Sequence, residues 1–106
     1  MKVIYNRMIP FKGYKCVNLF GVLFVRAGCT MRAEDYTHEA IHTAQMKELL
    51  YVAFYLLYVL EWLWHLARLR GMKAAYRVVS FEREAYAYQF DADYLKIRPK
   101  FNQYKI

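Results

Sequence analysis

Cysteine is scarce in this chain, with only Cys16 and Cys29 among 106 residues. A small domain held together by disulfides needs several cysteine pairs, so a disulfide framework is not indicated. The two thiols could pair, but reduced packing cysteines are the simpler interpretation. Glycine and proline are also few, at four and two residues, and no internal repeat or low-complexity linker is visible. The length then predicts one domain, residues 1–106.

Acidic residues are in the minority, nine against 16 basic residues, which gives a formal net charge of +7. No recognisable nucleic-acid-binding motif accompanies this charge, and the best basic patch, residues 96–105, is one part of a scattered set. A solvated basic surface or attraction to an anionic membrane fits the charge as well. We therefore expect no nucleic-acid partner.

A secretion signal of good quality is also missing. Residues 17–25 are mostly apolar and precede Arg26-Ala27-Gly28-Cys29, which looks faintly like a lipoprotein cleavage box. Arg26 stands where an apolar residue is expected, and Asn18 and Gly21 interrupt the run, so we treat residues 1–29 as part of the fold. The expected location is cytoplasmic, with membrane association left open.

Apolar residues are abundant, at 58% of the chain, and aromatic residues make up 19%. This composition excludes a disordered polypeptide and provides ample material for a core. Residues 49–60 are uninterruptedly apolar, but a bilayer span needs about 20 such residues. We favour a buried core helix here. A peripheral membrane contact or a homodimer through residues 49–66 stays open, because Trp62 and Trp64 precede Arg68, Arg70 and Lys73.

The order of the elements predicts an α+β fold. Residues 2–5 and 16–26 suit strands, with a turn at residues 10–13 and another turn or bulge at Gly21. Thr30 is a reasonable N-cap for a first helix, and Gly71 separates a second helix from a third over residues 72–90. The prediction is a small domain with an N-terminal β-hairpin or small sheet followed by about three helices.

The most informative stretch is residues 38–42, which read HEAIH and match the HExxH pattern. With about 100° of rotation per helical residue, His38 and His42 lie about 40° apart, so both imidazoles can reach one ion. Glu39 lies beside that face, where it can act on a metal-bound water without being a ligand. This arrangement is typical of a metallohydrolase.

A catalytic zinc usually has three protein ligands, so a third must come from elsewhere in the chain. The metzincin continuation would need Gly and His where this chain has Gln45 and Glu48, and Glu48 points about 240° around the helix from His42. The carboxylate-rich residues 80–86 are the obvious source. Spacing does not choose between Glu82 and Glu84, since each has Ala at i+3 and Tyr at i+4, and both could simply solvate the helix surface.

HEAIH followed by Glu82-Arg83-Glu84-Ala85 resembles the gluzincins, zinc metallopeptidases with two His from HExxH and a Glu from a downstream helix. The small chain also looks like the minimal scaffolds called minigluzincins. In several branches the second motif is Glu-x-x-Ala-Asp, and Glu82 falls on its zinc ligand. Tyr86 stands where the family has an Asp that supports the site from behind a ligand. The resemblance implies a zincin-like domain that binds Zn²⁺ through His38, His42 and Glu82.

The implied activity is hydrolysis of a peptide or protein substrate, with Glu39 as the general base. By the same resemblance, a strand at residues 23–26 could align the substrate, or it could merely cover the core. The alternatives are a non-catalytic metal-binding or membrane-associated interaction protein on this scaffold, and a basic structural protein with a chance motif. Four residues are conceivable oxyanion partners: His65, Arg83, Tyr86 and Tyr94.

Overall fold

The computed structural model of the protein describes residues 2–8 and 15–105. In these residues a three-stranded sheet precedes five helices, so the predicted α+β fold is confirmed. The strands are β1 (Lys2–Asn6), β2 (Cys16–Leu19) and β3 (Val22–Arg26). The helices are α1 (Ala33–Glu48), α2 (Val52–Leu69), α3 (Met72–Val78), α4 (Ser80–Tyr88) and α5 (Tyr94–Ile97), and a 3₁₀ helix follows at Asn102–Tyr104.

The sheet has the order β1-β3-β2, with β3 parallel to β1 and antiparallel to β2. The tight connection between β2 and β3 contains Gly21 at φ +87°, a backbone conformation that glycine adopts without steric cost. The turn predicted at Gly21 is therefore confirmed, while the turn predicted at residues 10–13 lies outside the described residues. Leu23 and Val25 of β3 are fully buried, so alternate side chains of the central strand form part of the core.

The start of α1 differs from the sequence prediction. The N-cap is Arg32, two residues after the predicted Thr30. The backbone N–H of Arg32 donates to a carboxylate oxygen of Asp35 at 2.9 Å, and Glu34 and Asp35 place negative charge at the positive end of the helix. Asp35 thus accepts from the backbone of the N-cap at Arg32, and the helix begins two residues later than predicted.

The predicted helix over residues 72–90 is divided into α3 and α4 at Val79, whose ψ of 134° is extended. Ser80 opens α4, and its N–H and Oγ donate to the two carboxylate oxygens of Glu61 on α2 at 2.9 and 2.6 Å. Val79 is fully buried in a core cluster with Met46, Phe54 and Phe81. A carboxylate from a distant helix thus caps α4. This break divides the third expected helix into two, and α5 after it makes five helices in the described residues.

The prediction that residues 49–60 form a buried core helix is wrong. Leu50 and Tyr51 adopt positive φ values of 54° and 62°, so α2 begins only at Val52. Phe54 is the one buried residue of its 18, and the helix lies across the outside of the domain. By length and composition alone α2 could cross a bilayer, with a mean hydropathy of 1.2 and 6% of its residues buried.

Candidate metal centre

Two helices bring three potential ligands to one point. His38 and His42 of α1 and Glu82 of α4 are all buried. Oε1 of Glu82 lies 3.1 Å from Nε2 of His38 and 3.0 Å from Nε2 of His42, and the two Nε2 atoms are 3.1 Å apart. The structure therefore brings together the two histidines of HEAIH and Glu82, the three metal ligands that the resemblance to gluzincins implies.

Close packing of α1 and α4 makes this approach possible. Ile41 lies between the two histidines in sequence and Ala85 follows Glu82 by nearly one helical turn; both are fully buried in the same core cluster. The single methyl group of Ala85 leaves room for α1 to approach. The ligand helices are thus held by apolar packing beside the ligands.

A glutamine orients the imidazole of His42 from behind. Oε1 of Gln45 is 2.8 Å from Nδ1 of His42, while Nε2 of Gln45 donates to the Phe81 carbonyl at 3.0 Å and to Glu84 Oε1 at 2.9 Å. Because both acceptors face the amide nitrogen, the amide oxygen must face His42, and Nδ1 must carry a proton. Nε2 can then present a lone pair to the ligand cluster once its own proton is lost, as in metal-binding histidines.

A second glutamine has the same relation to His38. Oε1 of Gln89 lies 2.8 Å from Nδ1 of His38. Tyr86, where the resemblance to gluzincins would place a supporting Asp, instead packs edge-on against the His38 ring with centroids 4.6 Å apart. Residue 86 therefore offers no carboxylate behind the ligand, and Gln89 provides an acceptor from a different position.

Glu82 is held in its ionised form. Its second oxygen, Oε2, accepts a hydrogen bond from the Tyr58 hydroxyl at 2.6 Å. Burial raises the pKa of this carboxyl, but His42, His38 and Tyr58 together lower it well below its usual range. In turn, burial opposes charge on His42, yet the Glu82 carboxylate raises the pKa of this imidazole to about 9. A cation bound at this point would therefore displace a proton from His42.

The three ligand atoms have a spacing that suits a small divalent cation. Ligands about 2.0–2.2 Å from a tetrahedral zinc lie about 3.3–3.6 Å from one another. The observed separations of 3.0–3.1 Å differ from this by a few tenths of an ångström. Two imidazoles and one carboxylate are also the donor set of catalytic zinc sites. The residues therefore fit zinc, with side chains on one side and a cavity on the other.

Glu39 lies beside this cluster and offers a buried, unused oxygen. Oε2 of Glu39 has no hydrogen-bond partner among the described residues, and Oε1 has only the Cys16 thiol at 3.9 Å. Burial raises the pKa of the Glu39 carboxyl, and the neighbouring His42 and His38 oppose this rise without cancelling it. Such a carboxylate is a stronger base than one in water, and its free oxygen is suited to accept a proton.

Glu39 and the ligand cluster line a cavity of about 760 Å³. Aromatic and apolar side chains form much of its wall, including Met46, Phe54, Tyr55, Tyr58, Trp62 and Met72. On the sheet side the wall is formed by Cys16, Val17 and Asn18 of β2. Of the two roles considered for residues 23–26, the structure supports covering the core and excludes substrate alignment, because β3 is paired with a strand on both sides and Leu23 and Val25 are fully buried. Among the described residues β2 is an edge strand, and it lies at the cavity.

The remaining carboxylates near the motifs have other partners. Glu84 is fully buried and accepts hydrogen bonds from Tyr94 Oη at 2.6 Å and Arg98 Nη2 at 3.0 Å. Glu48 pairs with Arg98 Nη1 at 3.0 Å. Neither carboxylate solvates an exposed helix face, because the guanidinium of Arg98 joins both.

Of the four conceivable oxyanion partners, one lies at the cavity and three do not. Tyr86 lines the cavity, with its hydroxyl 2.9 Å from that of Tyr76. Arg83 is exposed, His65 lies 3.0 Å from Arg68, and Tyr94 donates to Glu84. None of these three residues is part of the cavity wall.

Sequence reasoning missed three residues that support the ligands: Gln45, Gln89 and Tyr58. Gln45 was detectable in principle, because a residue at i+3 shares a helix face with His42. Tyr58 lies on α2 and Gln89 directly follows α4, both far from the histidines in sequence, so they carry no local signal. Comparisons of the chain with models of known families, with curated proteins and with solved structures find no match.

Proposed function

We propose that this protein is a zinc-dependent metallopeptidase in which His38, His42 and Glu82 hold Zn²⁺ and Glu39 is the general base. The observation that carries the proposal is the position of Glu39: it lines the same cavity as the ligand cluster, and its buried Oε2 has no hydrogen-bond partner within residues 2–8 and 15–105. A metal site that only stabilises a fold has no use for an adjacent free carboxylate, and structural zinc sites are usually closed by a fourth protein ligand.

Zinc in such a site acidifies a bound water and polarises a carbonyl group. The chain's residues supply the remaining functions. Glu39 accepts a proton at Oε2 from the attacking water and later donates it to the leaving amine, and burial, which raises the pKa of this carboxyl, makes it a stronger base for the first transfer. Gln45 and Gln89 keep the imidazoles aimed at the metal, and Tyr58 holds the Glu82 carboxylate in place.

The cavity indicates how a peptide would be held. Its largely apolar and aromatic wall suits a substrate with a large apolar side chain near the scissile bond. The β2 edge beside Glu39 could pair with an extended peptide backbone, although the Asn18 carbonyl already accepts the Tyr55 hydroxyl at 3.0 Å. Substrate pairing is therefore expected at residues 16–17 of this strand.

The proposal is tested by cleavage of a broad peptide library with the zinc-loaded wild type and Glu39→Gln. The amide cannot accept the proton, so the variant should keep its zinc and lose activity by at least about a hundredfold. Glu34→Gln, an acidic residue near the start of the same helix, is the matched control and should cleave like the wild type. A folded, zinc-loaded wild type that cleaves nothing would favour the binding-protein alternative.

A further inference from the structure

One side of α2 is a continuous apolar stripe. Its members recur at helical spacing of three or four residues, so they point to one side of the helix. Each is 48–72% exposed. The α2 stripe consists of Val52, Leu56, Val59, Leu60, Leu63 and Trp64. An exposed apolar stripe of this length indicates an interaction site for another protein or a membrane.

The opposite side of α2 is fixed to the domain by polar contacts. Tyr58 donates to Glu82 of the metal centre, and Glu61, the one acidic residue of the helix, accepts two hydrogen bonds from Ser80. A helix with these attachments cannot enter hydrocarbon on all sides without carrying buried carboxylates with it. The geometry therefore favours a helix lying along a surface, with only the stripe inserted.

The charged residues at the two ends of the α2 stripe indicate which kind of partner surface it binds. Arg68, Arg70 and Lys73 are exposed at the C-terminal end of the stripe, and Lys47 is exposed just before its N-terminal end. In a symmetric dimer of two stripes, these basic ends would meet basic ends in either a parallel or an antiparallel arrangement, which is repulsive. A negatively charged lipid surface complements both ends at once, and the Trp64 ring is suited to the interfacial region.

We propose that the α2 stripe is a membrane-binding surface that docks the protein peripherally on bilayers containing anionic lipids. The inference rests on α2 and its flanking basic residues, and it holds whether or not the metal centre is catalytic.

The experiment is co-sedimentation of the full chain with vesicles of phosphatidylcholine alone or mixed with phosphatidylglycerol. We expect binding to the mixed vesicles, weak binding to the neutral ones, and weaker binding in high salt. Leu60→Glu with Leu63→Glu should reduce the partition coefficient roughly a hundredfold or more. The matched control, Phe90→Glu with Ile97→Glu, alters two residues that are also exposed but lie outside the stripe, and it should bind like the wild type.

A second pair of variants tests charge without changing the stripe. Arg68→Gln with Arg70→Gln should weaken binding roughly 25-fold, from about fivefold per basic residue near an anionic surface. Lys100→Gln with Lys105→Gln removes the same charge elsewhere and should have a small effect. Equal binding to neutral and anionic vesicles, or no vesicle binding by the folded wild type, would overturn the proposal. So would a dimer in sedimentation that the Leu60 and Leu63 changes dissociate without any vesicle binding.

Discussion

The spacing of His38 and His42 predicts metal binding, because two imidazoles four residues apart on a helix face one point. Oε1 of Glu82 lies at the same point, so three protein ligands are available for one ion. Protein purified without added metal should contain about one zinc per chain, since three protein ligands suffice for an open site. His38→Ala or His42→Ala should remove most of it, as measured by elemental analysis. A metal-free wild type that gains no thermal stability from added Zn²⁺ would disprove the site.

The two carboxylates of α4 should have separable roles. Glu82→Ala should lower zinc affinity by more than about a hundredfold, beyond the effect typical of groups behind a ligand. Glu84→Ala should chiefly lower the stability of the fold, because it removes one of the two carboxylates that pair with the buried Arg98 guanidinium. Competitive zinc titration and thermal unfolding of the two variants distinguish these effects. A greater loss of zinc affinity for Glu84→Ala would show that the ligand is wrongly assigned.

Gln89 offers a test of the support behind His38. Gln89→Leu removes the acceptor for Nδ1 and should weaken zinc binding about 10–100-fold, whereas Gln89→Glu keeps an acceptor and should bind at least as tightly as the wild type. Zinc titration of both variants checks this. Similar losses in the two variants would mean that Gln89 acts only by packing.

Some residues of the candidate site can be predicted from the sequence and others cannot. The ligand pair and Glu39 are local in sequence, so helical periodicity suffices to find them. Glu82 needed a family pattern, because its spacing is indistinguishable from that of Glu84. Gln89 is 51 residues from His38, and only the folded arrangement of α1 and α4 makes them neighbours. Such long-range contacts have no periodic signal in one sequence.

Among the elements, the strands and the helix break at Gly71 were predictable from sequence, whereas the break at Val79 was not. Gly21 marks its turn chemically, since few other residues accept its φ. The break at Val79 has no glycine or proline, because the cap of α4 is the Glu61 carboxylate from α2. The burial of α2 was wrongly predicted because an apolar run in the sequence does not show whether the rest of the domain covers that helix.

The Glu61 cap gives a prediction at this scale. Glu61→Ala leaves the N–H and Oγ of Ser80 without their acceptor, so the free energy of unfolding should fall by about 1–3 kcal/mol. Glu34→Ala, which removes an acid near the start of α1, is the comparison and should change stability less. Denaturant unfolding measures both. An unchanged stability for Glu61→Ala would show that α4 does not need this cap.

At the scale of the whole molecule, Arg98 joins the C-terminal segment to the helices of the metal centre. Its guanidinium contacts Glu48 at the end of α1 and Glu84 of α4, and Glu84 in turn accepts from Gln45 behind His42. The C-terminal segment thereby bonds to both ligand helices. Nothing in the sequence around Arg98 indicates this role, because its two carboxylate partners are 14 and 50 positions away.

Arg98→Leu should consequently destabilise the protein by about 3–5 kcal/mol, because it leaves two carboxylates in the interior without their cation. Lys96→Leu breaks an exposed ion pair with Asp93 and should have little effect, since water replaces the lost partner.

Burial raises the pKa of Glu84, but the hydrogen bonds from Arg98, Gln45 and Tyr94 lower it overall. This contribution to stability is therefore complete above the unfolded pKa of about 4.3 and is lost as the pH falls through the lower folded value. Unfolding measured from neutral to acidic pH should accordingly show a smaller acid-induced loss of stability in Arg98→Leu than in the wild type; an equal loss would place the acid sensitivity in other carboxylates.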